Sequence, residues 1–218
     1  MMLLPMYVHP LVDPDAWDAL CRTAERPTAI VNVHDGPGAG RDEVYAVATA
    51  RLQRFGVRML GYVDLGYGNR ANGEVWCDIV GWAQYPVGGI FFDQVPSDAA
   101  GLRYVTQVVR AVRGSVVLNP GTRPLPGYAA LADVVCTFEG PWESYVDASV
   151  AAESGYGLPD GRDWPNAAHL VYGVPAERLG TATALLLSRA SHGLVTDLKA
   201  PLPYHGLPSS LRERAAAR

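Results

Sequence analysis

Carboxylates follow short apolar runs at several points of this chain, and they are the residues best suited to chemistry. Asp93 comes directly after Ile90-Phe91-Phe92, and Glu139 closes a second run of the same kind. Three large apolar residues in a row favour a strand buried on both faces, as in a parallel sheet. Two carboxylates that face each other across a pocket can hydrolyse a glycosidic bond, one as acid and the other as base or nucleophile.

The same arrangement recurs along the chain, with polar or ionisable side chains at or just after nearly every predicted strand end. These residues are His9, His34, Asp35, Asp64, Asp93, Gln94, Asn119, Glu139, Tyr172, Asp197 and Lys199. A single one of them could simply cap a turn. A ring of them on one face indicates a functional site, because unpaired buried carboxylates are costly. We expect the ring to be strongly negative and to prefer a cationic or neutral ligand over an anionic one.

Aromatic residues lie in the same loops and predict a sugar-binding surface. They are Tyr7, Tyr62, Tyr67, Trp142, Tyr145 and Trp164. Aromatic faces stack on the C–H faces of sugars while neighbouring polar groups bind the hydroxyls. We expect Tyr7, Tyr67 and Trp142 to contact substrate, with Asn69 and Arg70 beside Tyr67. For Tyr62, core packing is the expectation.

Other chemistries fit the pattern less well. Asp35, Asp64 and Asp93 on successive strands could bind a hard cation through oxygen, but no EF-hand or HExxH spacing accompanies them, so we expect no metal and no other cofactor. No GxSxG nucleophile elbow occurs. Lys199, two residues after Asp197, leaves Schiff-base chemistry open, since a desolvated lysine can form such an adduct.

Predicted strands and helices alternate along the chain without a break in composition. The predicted strands span residues 3–9, 28–34, 57–64, 90–92, 115–119, 133–139, 168–174 and 193–198, and residues 153–166 form the most loop-like part. About eight such units predict an α/β fold, a compact single-domain (β/α)8 TIM barrel over residues 1–218 with a closed parallel sheet. An open doubly wound sheet is the alternative, but no GxGxxG follows any predicted strand.

Composition excludes several classes of partner. The chain has 218 residues, a net charge of −4 and a pI near 5.7, which argue against nucleic-acid binding. No apolar run approaches the roughly 20 residues of a membrane span, so no membrane partner is expected. No secretion signal is visible, which predicts a cytoplasmic protein, or a secreted one if a leader has been removed. We expect a monomer or weak homodimer that binds a carbohydrate or small molecule.

Five motifs, in order, resemble spherulin-4 proteins. They are Ala29-Ile30-Val31-Asn32 with Gly36-Pro37-Gly38; Gly61-Tyr62-Val63-Asp64 with Tyr67-Gly68-Asn69-Arg70; Gly89-Ile90-Phe91-Phe92-Asp93; Val117-Leu118-Asn119-Pro120-Gly121-Thr122; and Thr137-Phe138-Glu139-Gly140-Pro141-Trp142. The resemblance covers almost the whole chain. Characterised members of that family are (β/α)8 glycoside hydrolases that cleave α-1,4-linked N-acetylgalactosamine in galactosaminogalactan, so the resemblance implies that fold and a related substrate.

The resemblance also implies that Asp93 and Glu139 are the catalytic carboxylates. The chain departs from the family at Gln94, where a glutamate is usual, and at residues 33–35, where a Pro-Asp-Ser type segment is usual. Glutamine keeps the shape of glutamate but cannot carry its charge or transfer its proton. The leading prediction is therefore a glycoside hydrolase acting on an α-linked amino sugar. The alternatives are a carbohydrate-binding barrel without catalysis, or a cytoplasmic lyase, isomerase or biosynthetic enzyme acting on a small metabolite.

Overall fold

Eight parallel strands form one sheet in which neighbours follow chain order. The computed structural model describes residues 1–147, 164 and 166–217. Its strands are β1 (Leu3–Met6), β2 (Thr28–Val31), β3 (Arg58–Asp64), β4 (Gly89–Asp93), β5 (Ser115–Leu118), β6 (Val134–Pro141), β7 (Ala167–Tyr172) and β8 (His192–Val195). A parallel bridge between Met2 and Gly193 joins the first and last strands. The sheet is therefore a nearly closed barrel, and the predicted (β/α)8 architecture is confirmed.

Helices follow the strands on the outside of the barrel. They are α1 (Pro14–Arg22), α2 (Glu43–Arg54), α3 (Asn72–Gly81), α4 (Ala99–Val109), α5 (Trp142–Val146), α6 (Leu179–Arg189) and α7 (Ser209–Ala216). Aspartates start three of them: Asp13, Asp42 and Asp98 each accept a hydrogen bond from a backbone amide in the first turn of α1, α2 and α4. Such caps satisfy amides that have no partner within the helix.

The first two strands end earlier than the sequence predicts. Beyond β1, the Tyr7 amide donates to the Tyr204 carbonyl at 3.2 Å instead of extending the sheet. Beyond β2, the side chain of Asn32 accepts a hydrogen bond from the Gly36 amide at 2.9 Å and turns the chain. Most of the predicted loop at 153–166 lies outside the described residues, as do residues 148–150 of the stretch after Trp142.

A close approach between β3 and the segment after α3 fixes the strand that carries Tyr62. A Cβ atom on Gly61 would lie 2.3 Å from the Trp82 ring, so only glycine lets the indole lie flat against the strand. The Trp82 indole nitrogen also donates to the Tyr62 carbonyl at 2.9 Å. The backbone of β3 is thereby held from the outer side, while Tyr62 projects towards the barrel axis.

Candidate active site

Three consecutive strands bring two carboxylates and one amide together at the mouth of the barrel. The Asn119 side-chain nitrogen donates to Asp93 Oδ1 at 2.8 Å and to Glu139 Oε2 at 2.5 Å. The two accepting oxygens therefore lie no further apart than the sum of these distances. Asp93 ends β4, Asn119 directly follows β5 and Glu139 lies in β6, so the ends of adjacent parallel strands form this centre.

Asn119 is held so that its amide hydrogens can only point at the carboxylates. Its side-chain oxygen accepts from the Gly121 amide at 3.0 Å, its own amide donates to the Phe92 carbonyl at 2.8 Å, and its carbonyl accepts from Val95 at 3.1 Å. Only 4% of the residue is exposed. With the oxygen already bonded, the NH2 group faces Asp93 and Glu139 and donates one hydrogen to each.

A β-bulge aims Glu139 into the barrel. In the pairing of β6 with β7, Cys136 lies opposite Ala168 and Phe138 lies opposite His169, so Thr137 is an extra residue. Glu139 then pairs with Leu170, which lines the cavity. Regular alternation would place Cys136 and Glu139 on opposite faces of the strand, and the extra residue places both on the inner face.

Three tyrosines surround the pair, and two of them, Tyr7 and Tyr204, line a cavity of about 240 Å³ together with Asp93 and Glu139. The Tyr62 hydroxyl donates to Asp93 Oδ2 at 2.9 Å, and the Tyr204 hydroxyl donates to Glu139 Oε1 at 2.8 Å. Tyr7 packs edge-on against both rings, with centroid distances of 5.5 and 5.9 Å. Each carboxylate therefore accepts from a tyrosine hydroxyl and from the side chain of Asn119.

Burial and mutual repulsion raise the proton affinity of the pair. Burial, followed by the charge of Asp93, raises the pKa of Glu139 to about 7, although the bonds from Asn119 and Tyr204 act in the opposite direction. Burial also raises the pKa of Asp93, against hydrogen bonds from Tyr62, the Gln94 amide and Asn119. Two like charges this close resist ionising together, so the pair retains a proton near neutral pH.

A second, more open cavity of about 530 Å³ adjoins the first and shares Asp93 and Glu139 with it. Tyr67, Gln94 and Tyr172 line this outer cavity. The Tyr67 amide donates to the Gln94 carbonyl at 2.7 Å, and both residues have positive φ angles, 53° and 49°. Such backbone costs on the order of 1–3 kcal/mol per residue and is typical of functional sites.

The whole chain matches one protein family. Residues 1–217 match spherulation-specific family 4. The chain belongs to this family. Spherulin-4 of Physarum polycephalum is 36% identical over 149 residues, which cover 63% of this chain and 44% of Spherulin-4, so the chain matches less than half of that protein's length. The crystal structure of Aspergillus clavatus Sph3 in complex with GalNAc superposes with a TM-score of 0.78 and 27% identity, covering 99% of this chain and 95% of Sph3.

In this family 4 barrel, the residues after β3 that were expected at the mouth stabilise the loop in which they lie. Asp64 accepts from the Gly66 amide at 2.5 Å, and Arg70 donates to the Asp64 carbonyl at 2.7 Å while pairing with Asp78 at 2.7 Å. The side chain of Asn69 donates to the Gly66 carbonyl at 2.8 Å. Their polar groups therefore order the segment that carries Tyr67.

The remaining strand-end residues make other contacts or are exposed. His9 accepts from the Leu11 amide at 3.1 Å and packs edge-on against Tyr45 on α2, while His34 and Asp35 are exposed. Asp197 accepts from the Ser209 amide at 2.9 Å, at the start of α7. Lys199 is exposed, whereas a Schiff-base lysine is made nucleophilic by desolvation.

The expected position of Trp142 at the mouth is wrong. Only 7% of Trp142 is exposed, and it packs with Phe138, Tyr145 and Val171 in an apolar cluster between β6, β7 and the outer helices. Tyr145 is also buried there and its hydroxyl lies 2.7 Å from His169 Nδ1. Trp142 opens α5 directly after β6, and the helix directs its ring towards the outer layer.

Two residues of the centre were not recognised from the sequence. Tyr62 is buried as expected, but its hydroxyl also donates to Asp93. Its position on β3, two residues before Asp64, could have indicated this, because it places Tyr62 on the same face of the strand as Asp64. Tyr204 lies in a proline-rich segment after the last strand, where the strand-end pattern gives no guide. Among the described residues, no group of three or more His, Cys, Asp or Glu could hold a metal ion. In the same residues, no helix is long and apolar enough to cross a membrane.

Proposed function

We propose that this chain is a glycoside hydrolase that cleaves an α-linked amino sugar of the galactosamine or N-acetylgalactosamine type. The observation that carries the proposal is the Asp93–Asn119–Glu139 centre, in which two partly buried carboxylates share one amide nitrogen. The similarity to Sph3, crystallised with GalNAc, supports the substrate class because it extends over nearly the whole of both chains.

The two carboxylates take different roles because their surroundings differ. Glu139, with a pKa raised to about 7, keeps its proton near neutral pH and gives it to the leaving glycosidic oxygen. Asp93 accepts hydrogen bonds from Tyr62, Asn119 and the Gln94 amide, which stabilise its ionised form and suit it to attack the anomeric carbon. As the carbon–carboxylate bond forms, the glycosidic C–O bond breaks. Water, deprotonated by Glu139, then releases the sugar.

The separation of the carboxylates favours a retaining mechanism. Retaining glycosidases hold their two carboxyl groups about 5–5.5 Å apart, whereas inverting ones leave about 6.5–9.5 Å for a water molecule. The shared Asn119 nitrogen, 2.8 Å from one oxygen and 2.5 Å from the other, limits the separation of these two oxygens to less than the inverting range. The two cavities suit successive sugar units, with Tyr67 and Tyr172 beside the outer one.

Hydrolysis of defined oligosaccharides tests the proposal. Purified protein is incubated with α-1,4-linked galactosamine and N-acetylgalactosamine oligomers, and new reducing ends are measured together with the anomer first released. We expect hydrolysis with retention in the wild-type protein, and about a thousandfold less in an Asp93→Asn protein. Absence of hydrolysis on both oligomers, at protein concentrations where the oligomers bind, would refute the enzymatic role.

A non-catalytic carbohydrate-binding role is the second candidate, and Gln94 is the observation that favours it. Gln94 lines the outer cavity beside Asp93 and Glu139 in the place where the family resemblance implies a glutamate. In that case oligomers bind equally well to the wild-type and Asp93→Asn proteins, and neither protein cleaves them. Calorimetric titration combined with the hydrolysis assay distinguishes the two roles.

A further inference from the structure

The segment of residues 198–208, which makes up most of the connection between β8 and α7, crosses the barrel mouth and forms one wall of the inner cavity. Five consecutive residues of it, 201–205, line that cavity. Both ends of the segment are anchored. The Leu198 carbonyl accepts from the Gly173 amide at 2.8 Å, and Asp197, just before the segment, accepts from the Ser209 amide at 2.9 Å, just after it.

Tyr204 is the residue of this segment that reaches the carboxylates, and its side chain is held on several sides. Its carbonyl accepts from the Tyr7 amide, and its ring packs edge-on against Tyr7 at 5.9 Å and Tyr172 at 6.5 Å. Only 8% of the residue is exposed. Its hydroxyl, 2.8 Å from Glu139 Oε1, therefore has a fixed position relative to β6.

We propose that Tyr204 is a positioning residue for the acid Glu139, delivered to it by the 198–208 segment. The proposal rests on the hydrolase function assigned above. Asn119 fixes one oxygen of the Glu139 carboxyl and Tyr204 fixes the other, so the plane of the group is set by partners from β5 and from the segment together. The role of Tyr204 is exerted through Glu139, since its hydroxyl bonds the carboxyl itself.

The groups that face Glu139 determine the direction of the effect. Asp93 from β4 opposes ionisation of Glu139, while the hydrogen bonds from Asn119 and Tyr204 favour it. Tyr7 directly after β1, Tyr67 in the loop after β3 and Cys136 in β6 also lie within electrostatic reach. Removing the Tyr204 hydroxyl removes one bond that stabilises the carboxylate. The pKa of Glu139 should therefore rise.

The test is a Tyr204→Phe protein, which keeps the ring and loses the hydroxyl. The pKa of Glu139 is followed by NMR titration of ¹³C-glutamate-labelled protein without substrate, and the pH profile of turnover is measured separately. We expect the Glu139 pKa to rise by about one unit. The alkaline limb of the profile should move with it, while kcat falls more than KM changes.

Tyr128→Phe is the matched control, because the Tyr128 hydroxyl is also buried but donates to the Asp98 carbonyl at 2.9 Å, away from the pair. It should leave the Glu139 titration unchanged. If Tyr204→Phe also leaves it unchanged, the positioning role is refuted. The titration needs no substrate, so a protein that fails to hydrolyse galactosaminides still tests this inference.

Asp197→Ala provides a second variant, which keeps Tyr204 but removes an anchor of its segment. We expect the Glu139 pKa to shift in the same direction as in Tyr204→Phe, by a smaller amount. A wild-type titration in Asp197→Ala would overturn the part of the proposal that assigns delivery of Tyr204 to the segment.

Discussion

The ends of β3 and β4 carry the same residue in the same register and use it differently. Asp64 and Asp93 are direct partners in the parallel pairing of these strands. Asp64 accepts from the amide of Gly66, two residues further along its own loop, whereas Asp93 accepts from the side chains of Tyr62 and Asn119 on the strands to either side. A strand end brings a carboxylate to the mouth, and the donors on neighbouring strands decide whether it orders a loop or joins a reactive centre.

The same substitution at both positions gives the sharpest test of this difference. Asp93→Asn removes the charge that faces the substrate, so turnover of galactosaminide oligomers should fall about a thousandfold. Asp64→Asn keeps an oxygen that can accept from the Gly66 amide, so turnover should stay within about twofold of wild type. Steady-state kinetics of both proteins give the result. Equal losses in the two variants would show that the loop at β3 is as important to the chemistry as the centre.

The pH dependence of stability should identify Glu139 as the buried acid. Its pKa is raised from 4.5 to about 7 in the folded protein, so the folded state binds more protons than the unfolded state between these pH values. Stability from this group is complete below about pH 4.5 and is lost as pH rises to about 7, by on the order of 3 kcal/mol. Denaturant unfolding of wild type and Glu139→Gln at several pH values measures this loss, which the variant should lack.

Asp93→Asn serves as the partial control for that experiment. Burial is the largest cause of the raised Glu139 pKa and the charge of Asp93 is the second, so removing Asp93 should reduce the loss without abolishing it. An Asp93→Asn protein with the full wild-type loss would contradict the electrostatic coupling of the pair.

Asn119→Ala tests the hydrogen bonds by which Asn119 bridges Asp93 and Glu139. This bridge distinguishes the ends of β4–β6 from the end of β3. The substitution removes the hydrogen bonds to both carboxylates, and hydrogen bonds to charged groups contribute about 1.5–3 kcal/mol each, so kcat should fall about tenfold to a hundredfold. Asn166→Ala is the matched control, because the Asn166 amide bridges two backbone carbonyls, of Ala129 and Ala132. If Asn119→Ala and Asn166→Ala have the same kcat, the Asn119 bridge does not have the role assigned to it.

The smallest effect is expected at Gln94, the residue after Asp93. Gln94→Glu supplies the carboxylate that the family resemblance implies at this position, and we expect a few-fold rise in hydrolysis of galactosaminide oligomers. Gln94→Asn is the control, because asparagine tolerates the positive φ of 49° without adding charge. No gain in Gln94→Glu, with wild-type activity on another substrate, would instead indicate divergence to a different reaction.

The barrel was predictable because each of its units carries local signals that agree with one another. Buried strands read as continuous apolar runs, and α1, α2 and α4 begin at aspartate caps. The apolar runs predict ends of β1 and β2 that lie too far along the chain, because a contact with Tyr204 and the turn at Asn32 replace sheet pairing there. Such contacts depend on segments distant in the sequence or on turn chemistry that apolar runs do not reveal.

The candidate site was predictable in its position and only partly in its members. Strand-end polarity identifies Asp93, Asn119 and Glu139 but gives equal weight to Asp64, because their side-chain partners come from other strands. Tyr204 could not be found this way, since it belongs to a segment that returns over the mouth after β8. Trp142 was misplaced because an aromatic residue just past a strand end can also begin an outward-facing helix.

Thr137 is an extra residue in β6. It shifts the alternation of inward-facing and outward-facing side chains, which otherwise repeats every two residues, by one position. If Thr137 were deleted, Cys136 and Glu139 would lie two residues apart, and regular alternation alone would keep both on the inner face and Phe138 on the outer face. A relative that lacks this insertion would therefore keep its acid opposite the residue that matches Leu170, but one residue closer to the start of the strand. An alignment of β6 with relatives should thus be counted from Glu139, which pairs with Leu170, towards the carboxyl end, and not from the start of the strand.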